Sequence, residues 1–114
     1  MINFLGETTM NDEFKLGYAM GVLVSQGSFT RDRKQAAVQV KLHVRDEGVL
    51  DFLQQMFGGR IYGPYLHGDR HYKIWLLRGE DLAFAVDTFR NHLPESYKRQ
   101  QFIEWCRQYF PDTN

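Results

Sequence analysis

Residues 16–24, LGYAMGVLV, restrict what this chain can fold into more than any other stretch. Asn11 or Asp12 can cap a helix ahead of them, and Asp12 and Glu13 suit the positive end of its dipole. The predicted helix, from about residue 12 to 25, carries Leu16, Gly17, Met20, Gly21 and Val24, flanked by Tyr18, Ala19, Val22 and Leu23. Almost no polar face is left, and a helix that is apolar all round has to be covered all round. The chain has 114 residues, which suits one compact domain and leaves little room for a second. Two solutions remain. The helix is the centre of a monomeric core, or one face packs on its own core and another on a partner. Gly17 and Gly21, four apart on one face, would let a second helix backbone approach closely.

At Gly27 the helix ends in a tight turn and SFTRDR begins a strand. After a turn near Arg33–Gln35, residues 38–45, VQVKLHVR, alternate strictly. Val38, Val40, Leu42 and Val44 are predicted to face inward, with Gln39, Lys41, His43 and Arg45 on the other face. DEGVLDFLQQMFGG reads as a helix capped by Asp46, with Val49, Leu53 and Met56 on one stripe and Gly58–Gly59 as its stop. RIYGPY and RHYKIWLL form a second hairpin through LHGD, where Tyr72, Ile74 and Leu76 alternate with His71, Lys73 and Trp75. Two helices follow: 80–92, with Leu82, Val86 and Phe89 on one face, and 96–110, with Phe102, Cys106 and Tyr109 on one face. Pro94 separates them and Pro111 closes the last. No repeat, linker or low-complexity segment breaks the pattern, so residues 1–114 read as a single α+β domain of order α-β-β-α-β-β-α-α.

Hydrophobic residues make up 43% of the chain, enough for a real core. The single cysteine, Cys106, excludes an internal disulfide framework and a Cys-based zinc site, and reads as a small core residue. No apolar run approaches the roughly 20 residues needed to span a bilayer, and MINFLGETTMNDE has no basic signal-peptide start. The expected location is intracellular, cytoplasmic or nucleoid-associated, with a phage or organelle origin left open.

Formal net charge is zero, which taken alone argues against a nucleic-acid binder. Its distribution argues the other way. Residues 30–45 hold Arg31, Arg33, Lys34, Lys41 and Arg45 against Asp32, a net of +4. Residues 60–78 hold Arg60, Arg70, Lys73 and Arg78 against Asp69, a net of +3, which leaves −7 on the rest. The two basic segments are those that read as strands. A cationic sheet backed by acidic helices is the electrostatic footprint of a surface that meets phosphate.

The order of elements and the stretch AMGVLVSQGSF, residues 19–29, resemble a single-motif LAGLIDADG homing endonuclease. Gly21, Gly27, Ser28 and Phe29 fit the motif. DFLQQMFGGRIYG is similar to the family's middle helix and third strand, and KRQQFIEWCRQYF to its closing helix, so the resemblance runs from about Phe14 to Tyr109. It implies a curved antiparallel sheet backed by helices, and two motif helices packed together at the centre of a homodimer. The implied dimer contact is Gly17, Met20, Gly21 and Val24, although Met20 stands where the motif usually has Ala.

In that family each motif helix delivers a carboxylate to the scissile phosphates, where divalent ions activate water and neutralise the leaving oxygen. Here the motif acid maps onto Gln26 and an earlier acidic position onto Val24, and neither supplies negative charge. No catalytic residue and no metal site is therefore assigned. Asp46 and Lys98 are the remnants of an active site, with Arg99 beside Lys98, and Asp32 lies farther out. What the resemblance leaves is binding of double-stranded DNA. The implied groove-facing set is Thr30, Asp32 and Lys34, then Gln39, Lys41, His43 and Arg45, then Arg60, Tyr62, Arg70 and Lys73. Gln and Arg suit adenine and guanine edges, Lys suits phosphates, and Asp32 would accept from cytosine or simply discourage wrong sequences. Two alternatives stand beside this expectation. One is an active Mg2+-dependent endonuclease or nickase with a replacement acid, the other a maturase-like protein that binds structured RNA.

Overall fold

Residues 11–111 are described by the structure, a computed structural model. Asn11 starts the first helix, its Oδ1 accepting the Phe14 backbone N–H at 2.7 Å. Helix α1 spans Asp12–Gln26 and buries Ala19, Met20 and Leu23, whereas Gly17 and Gly21 are exposed. Only one side of α1 therefore meets the core. The helix is not the centre of a monomeric core, and its other side stands open in the single chain.

Strand β1, Gly27–Asp32, follows α1 without an intervening turn. Gly27 has φ −81° and ψ 157°, an extended conformation that any residue adopts. The demand for glycine is one of space, because a Cβ would lie 2.6 Å from the Leu23 carbonyl oxygen. Arg33 and Lys34 turn the chain into β2, Gln35–His43, with Arg33 in the left-handed region at φ 59°. The strand expected over 38–45 thus begins earlier and ends earlier. Val44–Asp46 form a 3-10 turn, and His43 Nδ1 accepts the Arg45 backbone N–H at 3.1 Å. That side-chain bond offers the backbone an alternative to the ladder.

Helix α2, Glu47–Phe57, leads to β3, Arg60–His67, and β4, Arg70–Arg78. Asp46 holds the cap position of α2 but makes no cap bond with its side chain. The buried stripe of α2 is Leu50, Phe52 and Leu53, with Val49 and Met56 only half-buried, so the expected stripe is rotated. The sheet is antiparallel throughout, in the order β1-β2-β4-β3. Phe29 lies opposite Val38, Val38 opposite Leu77, and Val40 opposite Trp75. These residues form the face that the helices cover.

Helices α3, Gly79–His92, and α4, Tyr97–Tyr109, complete the layer. Leu82, Val86 and Phe89 of α3 and Phe102, Trp105 and Cys106 of α4 are buried. Phe29 packs edge-on against Phe89 and Phe102, with ring centroids 6.2 and 5.1 Å away. Strand β1 is at the edge of the sheet, and α4 lies against it. Trp105 Nε1 donates to the Thr30 carbonyl at 2.7 Å, and Lys98 Nζ to the Gly27 carbonyl at 2.6 Å. A covered edge strand is a poor template for further strand pairing. At the opposite corner Trp75 Nε1 donates to the Gly58 carbonyl at 2.8 Å. Cys106 is a free thiol in the core, and burial pushes its pKa up. Among the described residues, no helix is long and apolar enough to cross a membrane.

Candidate nucleic-acid interface

Successive residues of a strand point to opposite faces. The register that turns Val38, Val40, Trp75 and Leu77 toward the helices sends their neighbours to the face left open. Ser28, Thr30 and Asp32 of β1 share that open face with Gln35, Gln39, Lys41 and His43 of β2. Tyr72, Ile74, Leu76 and Arg78 of β4 join them, as do Arg70 and, on β3, Arg60, Tyr62, Tyr65 and His67. Lys41, Arg60, Arg70 and Arg78 therefore stand on one surface with a single carboxylate, Asp32. That carboxylate is already bonded to Arg78 Nη1.

Local contacts hold parts of this surface in place. Lys41 Nζ lies 4.6 Å from the centroid of the Tyr72 ring, a cation–π contact across the open face. Because His43 Nδ1 accepts from Arg45, the neutral ring carries its proton on Nε2 and presents a donor.

The fold gathers eight of the expected contact residues on the open face: Thr30, Asp32, Gln39, Lys41, His43, Arg60, Tyr62 and Arg70. Lys34 is in the β1–β2 turn, and Arg45 has left the sheet for the 3-10 turn beyond β2. Lys73 is a correction. It lies opposite Leu42 on the helix-covered face, and its Nζ is 2.6 Å from Glu47 Oε2 of α2. The hydrogen bond that Lys73 donates to the Glu47 carboxylate raises the Lys73 pKa. Asp32 stands on the open face as expected of a groove-facing residue, and its Oδ2 accepts from Arg78 Nη1. Arg78 was missed. It is in phase with Arg70 along β4, and extending the alternation one residue past RHYKIWLL finds it.

At the end of α1, Gln26 is exposed and Val24 half-buried. Lys98 stands beside this junction through its bond to Gly27. Arg99 does not. Its Nη1 donates to the carbonyls of Arg90 and Leu93, at 3.0 and 2.8 Å, and ties the α3–α4 connection. Asp46 is exposed beyond β2. Among the described residues, no group of three His, Cys, Asp or Glu could hold a metal ion. A Gln carbonyl can touch a hard divalent cation, but a neutral amide beside a lysine supplies no negative charge and is a poor anchor for one. Of the four residues expected in a helix-to-helix contact, Gly17 and Gly21 are exposed. Met20 is turned into the chain's own core, at 3% exposure.

No protein-family model and no curated protein matches the chain. Solved structures do. The homing endonuclease I-TnaI is 23% identical, with a TM-score of 0.66 over 81% of this chain and 69% of that one. I-LtrWI, a LAGLIDADG homing endonuclease bound to target DNA, is 17% identical, with a TM-score of 0.70 over 86% of this chain and 37% of its own. I-SmaMI, a LAGLIDADG homing endonuclease bound to cleaved DNA, is 16% identical, with a TM-score of 0.68 over 88% and 38%. I-SmaMI has also been seen on an uncleaved DNA target in the presence of calcium ions. The chain thus spans over two thirds of I-TnaI but little more than a third of I-LtrWI and I-SmaMI. The α-β-β-α-β-β-α-α order with a four-stranded antiparallel sheet matches theirs, and this chain has the fold of the LAGLIDADG homing endonucleases.

Proposed function

We propose that this chain is a sequence-specific double-stranded DNA-binding protein that acts as a homodimer and does not cleave its target. The observation that carries the reading is the charge imbalance of the open face. Four Lys or Arg side chains share it with one carboxylate, and that carboxylate is paired within the face itself. A solvated sheet in a neutral protein has no need of such an imbalance, whereas the major groove admits a β-ribbon and its walls are phosphate. Gln39, Arg60 and Arg70 supply side chains that pair with base edges, and Lys41 supplies a phosphate contact.

The dimer rests on α1. Gly17 and Gly21 are exposed in mid-helix, and a Cβ at either would meet nothing within 4 Å. Within one chain they only weaken the helix, by roughly 0.5–1 kcal/mol each relative to Ala. A second α1 lying against them gives the missing side chains a use. Loss of cleavage rests on Gln26, which places an amide where metal-assisted hydrolysis needs a carboxylate. In a symmetric pair the replacement occurs twice.

The test is to incubate the protein with fragmented genomic DNA of its host in Mg2+, recover the complexes, and sequence the bound fragments and their ends. A shared pseudo-palindrome with random ends is the expected outcome. Ends clustered inside the site would overturn the loss of cleavage. Preferential recovery of folded RNA, when both nucleic acids are offered, would overturn duplex DNA as the partner.

A further inference from the structure

At the end of β1 opposite Gln26, the open face sinks into a concavity of about 500 Å3. Leu76 and Tyr62 line it together with Arg33, Arg60, Arg78 and two carboxylates, Asp32 and Asp81, of which Asp81 accepts the Gly59 backbone N–H at 3.0 Å. Arg78 belongs to β4 and Asp32 to the edge strand β1, with β2 between them. The residue of β2 opposite Arg78 is Ala37, small enough for the arginine to pass over on its way to Asp32. Arg78 Nη1 donates to Asp32 Oδ2, and the two side chains remain 40% and 34% exposed. An ion pair so open to water adds little stability. What it fixes is the direction of a long side chain that would otherwise sample many rotamers.

A guanidinium anchored on one side keeps its other N–H groups in a rigid planar fork. Among the described residues, no second protein acceptor engages that fork. Two acceptors on one edge, the O6 and N7 of guanine in the major groove, match such a fork, and no other base presents that pair. Arg33, at the turn, and Arg60, on the neighbouring strand, flank the position with charge suited to phosphate. We propose that Arg78, oriented by Asp32, reads a guanine in each half of the DNA site. The assignment rests on duplex DNA being the partner. It also accounts for the one acid among the strand residues of the open face, since Asp32 acts on the arginine and not on the DNA.

The experiment is selection of bound sequences from a random duplex library with the full chain, Arg78→Ala and Asp32→Asn, followed by titration of the selected duplex and its single-base variants. The unaltered chain is expected to select guanine at one position per half-site, with about tenfold weaker binding when adenine replaces it. Arg78→Ala is expected to lower that ratio to below about twofold and leave the preferences at other positions unchanged. Asp32→Asn is expected to lower it several-fold with an unchanged thermal unfolding midpoint. If Arg78→Ala keeps guanine at every selected position, the residue is a phosphate contact or a surface charge and the assignment is wrong. If Asp32→Asn leaves the ratio intact, the orienting role is wrong. Duplex binding without any selected guanine would overturn the assignment and leave DNA binding standing. No duplex binding at all would overturn the function on which it rests.

Discussion

Lys98 of α4 reaches back 71 residues along the chain to hold the Gly27 carbonyl oxygen, 2.6 Å from its Nζ. Gly27 is where the backbone changes from helix to strand, so this one bond ties the last helix to the junction between the first two elements. Trp105, two turns farther along α4, repeats the tie at Thr30. Both bonds tie α4 to β1, the strand that joins α1, which carries the proposed dimer contact, to the sheet, which carries the proposed DNA contact.

Lys98→Met keeps the aliphatic stem and removes the donor. A half-buried bond from a charged group to a carbonyl contributes about 1.5 kcal/mol, so the urea midpoint is expected to fall accordingly, with the slope unchanged. An unaltered midpoint would mean that the junction is held by packing alone.

Gly21→Leu separates the two roles of α1. Because a Cβ at this position meets nothing within the chain, folding of the single chain is expected to be preserved or improved. Sedimentation is expected to show the unaltered chain as a dimer and the variant as a monomer. A variant that sediments like the parent would place the dimer contact elsewhere.

Lys41→Ala and Lys73→Ala form a matched pair on opposite faces of one sheet. Loss of Lys41 is expected to weaken binding to every duplex and to reduce the slope of log K against log salt by about 1. Loss of Lys73, which faces Glu47 on the helix side, is expected to leave DNA affinity unchanged. Equal effects of the two would remove the distinction between the faces.

Gln26→Glu returns a negative charge to the end of each α1. Calorimetry with Ca2+ is expected to show binding in the variant and none in the parent, and Mg2+ is expected to support cutting of the selected duplex. No heat and no cutting would mean that the helix ends have lost more than one carboxylate.

Much of the architecture is legible because each segment keeps one clear period. The α1 stretch is apolar, VQVKLHVR alternates, and Gly58–Gly59 stops α2, so type and order of the elements follow directly. The boundaries are less legible where a side chain competes with the backbone, as His43 does when it accepts from Arg45 and ends β2. Strand β4 is harder. RHYKIWLLR carries apolar residues in both phases, Ile74 and Leu76 in one, Trp75 and Leu77 in the other, so alternation alone does not say which phase meets the helices. Trp75 decides it, because its indole N–H finds the Gly58 carbonyl only on the covered side. That choice carries Lys73 away from the open face and brings Arg78 onto it. The bonds of Lys98 to Gly27 and of Asp32 to Arg78 join residues 71 and 46 apart, and no local pattern signals either one.

The strict division of the strands into a covered phase and an open phase has a consequence for how such a chain changes over time. Substitutions at Gln39, Lys41, Arg60, Tyr62 or Arg70 alter the open surface without entering the packing of Val38, Val40, Trp75 and Leu77. Mutational drift at the first set is therefore largely invisible to stability, whereas drift at the second is purged by it. Under the proposed function, a lineage built on this sheet exchanges one target for another in single steps, each intermediate remaining folded. Ala37 is the exception: it belongs to the open phase yet is fully enclosed, so a larger side chain there would have to displace what covers it.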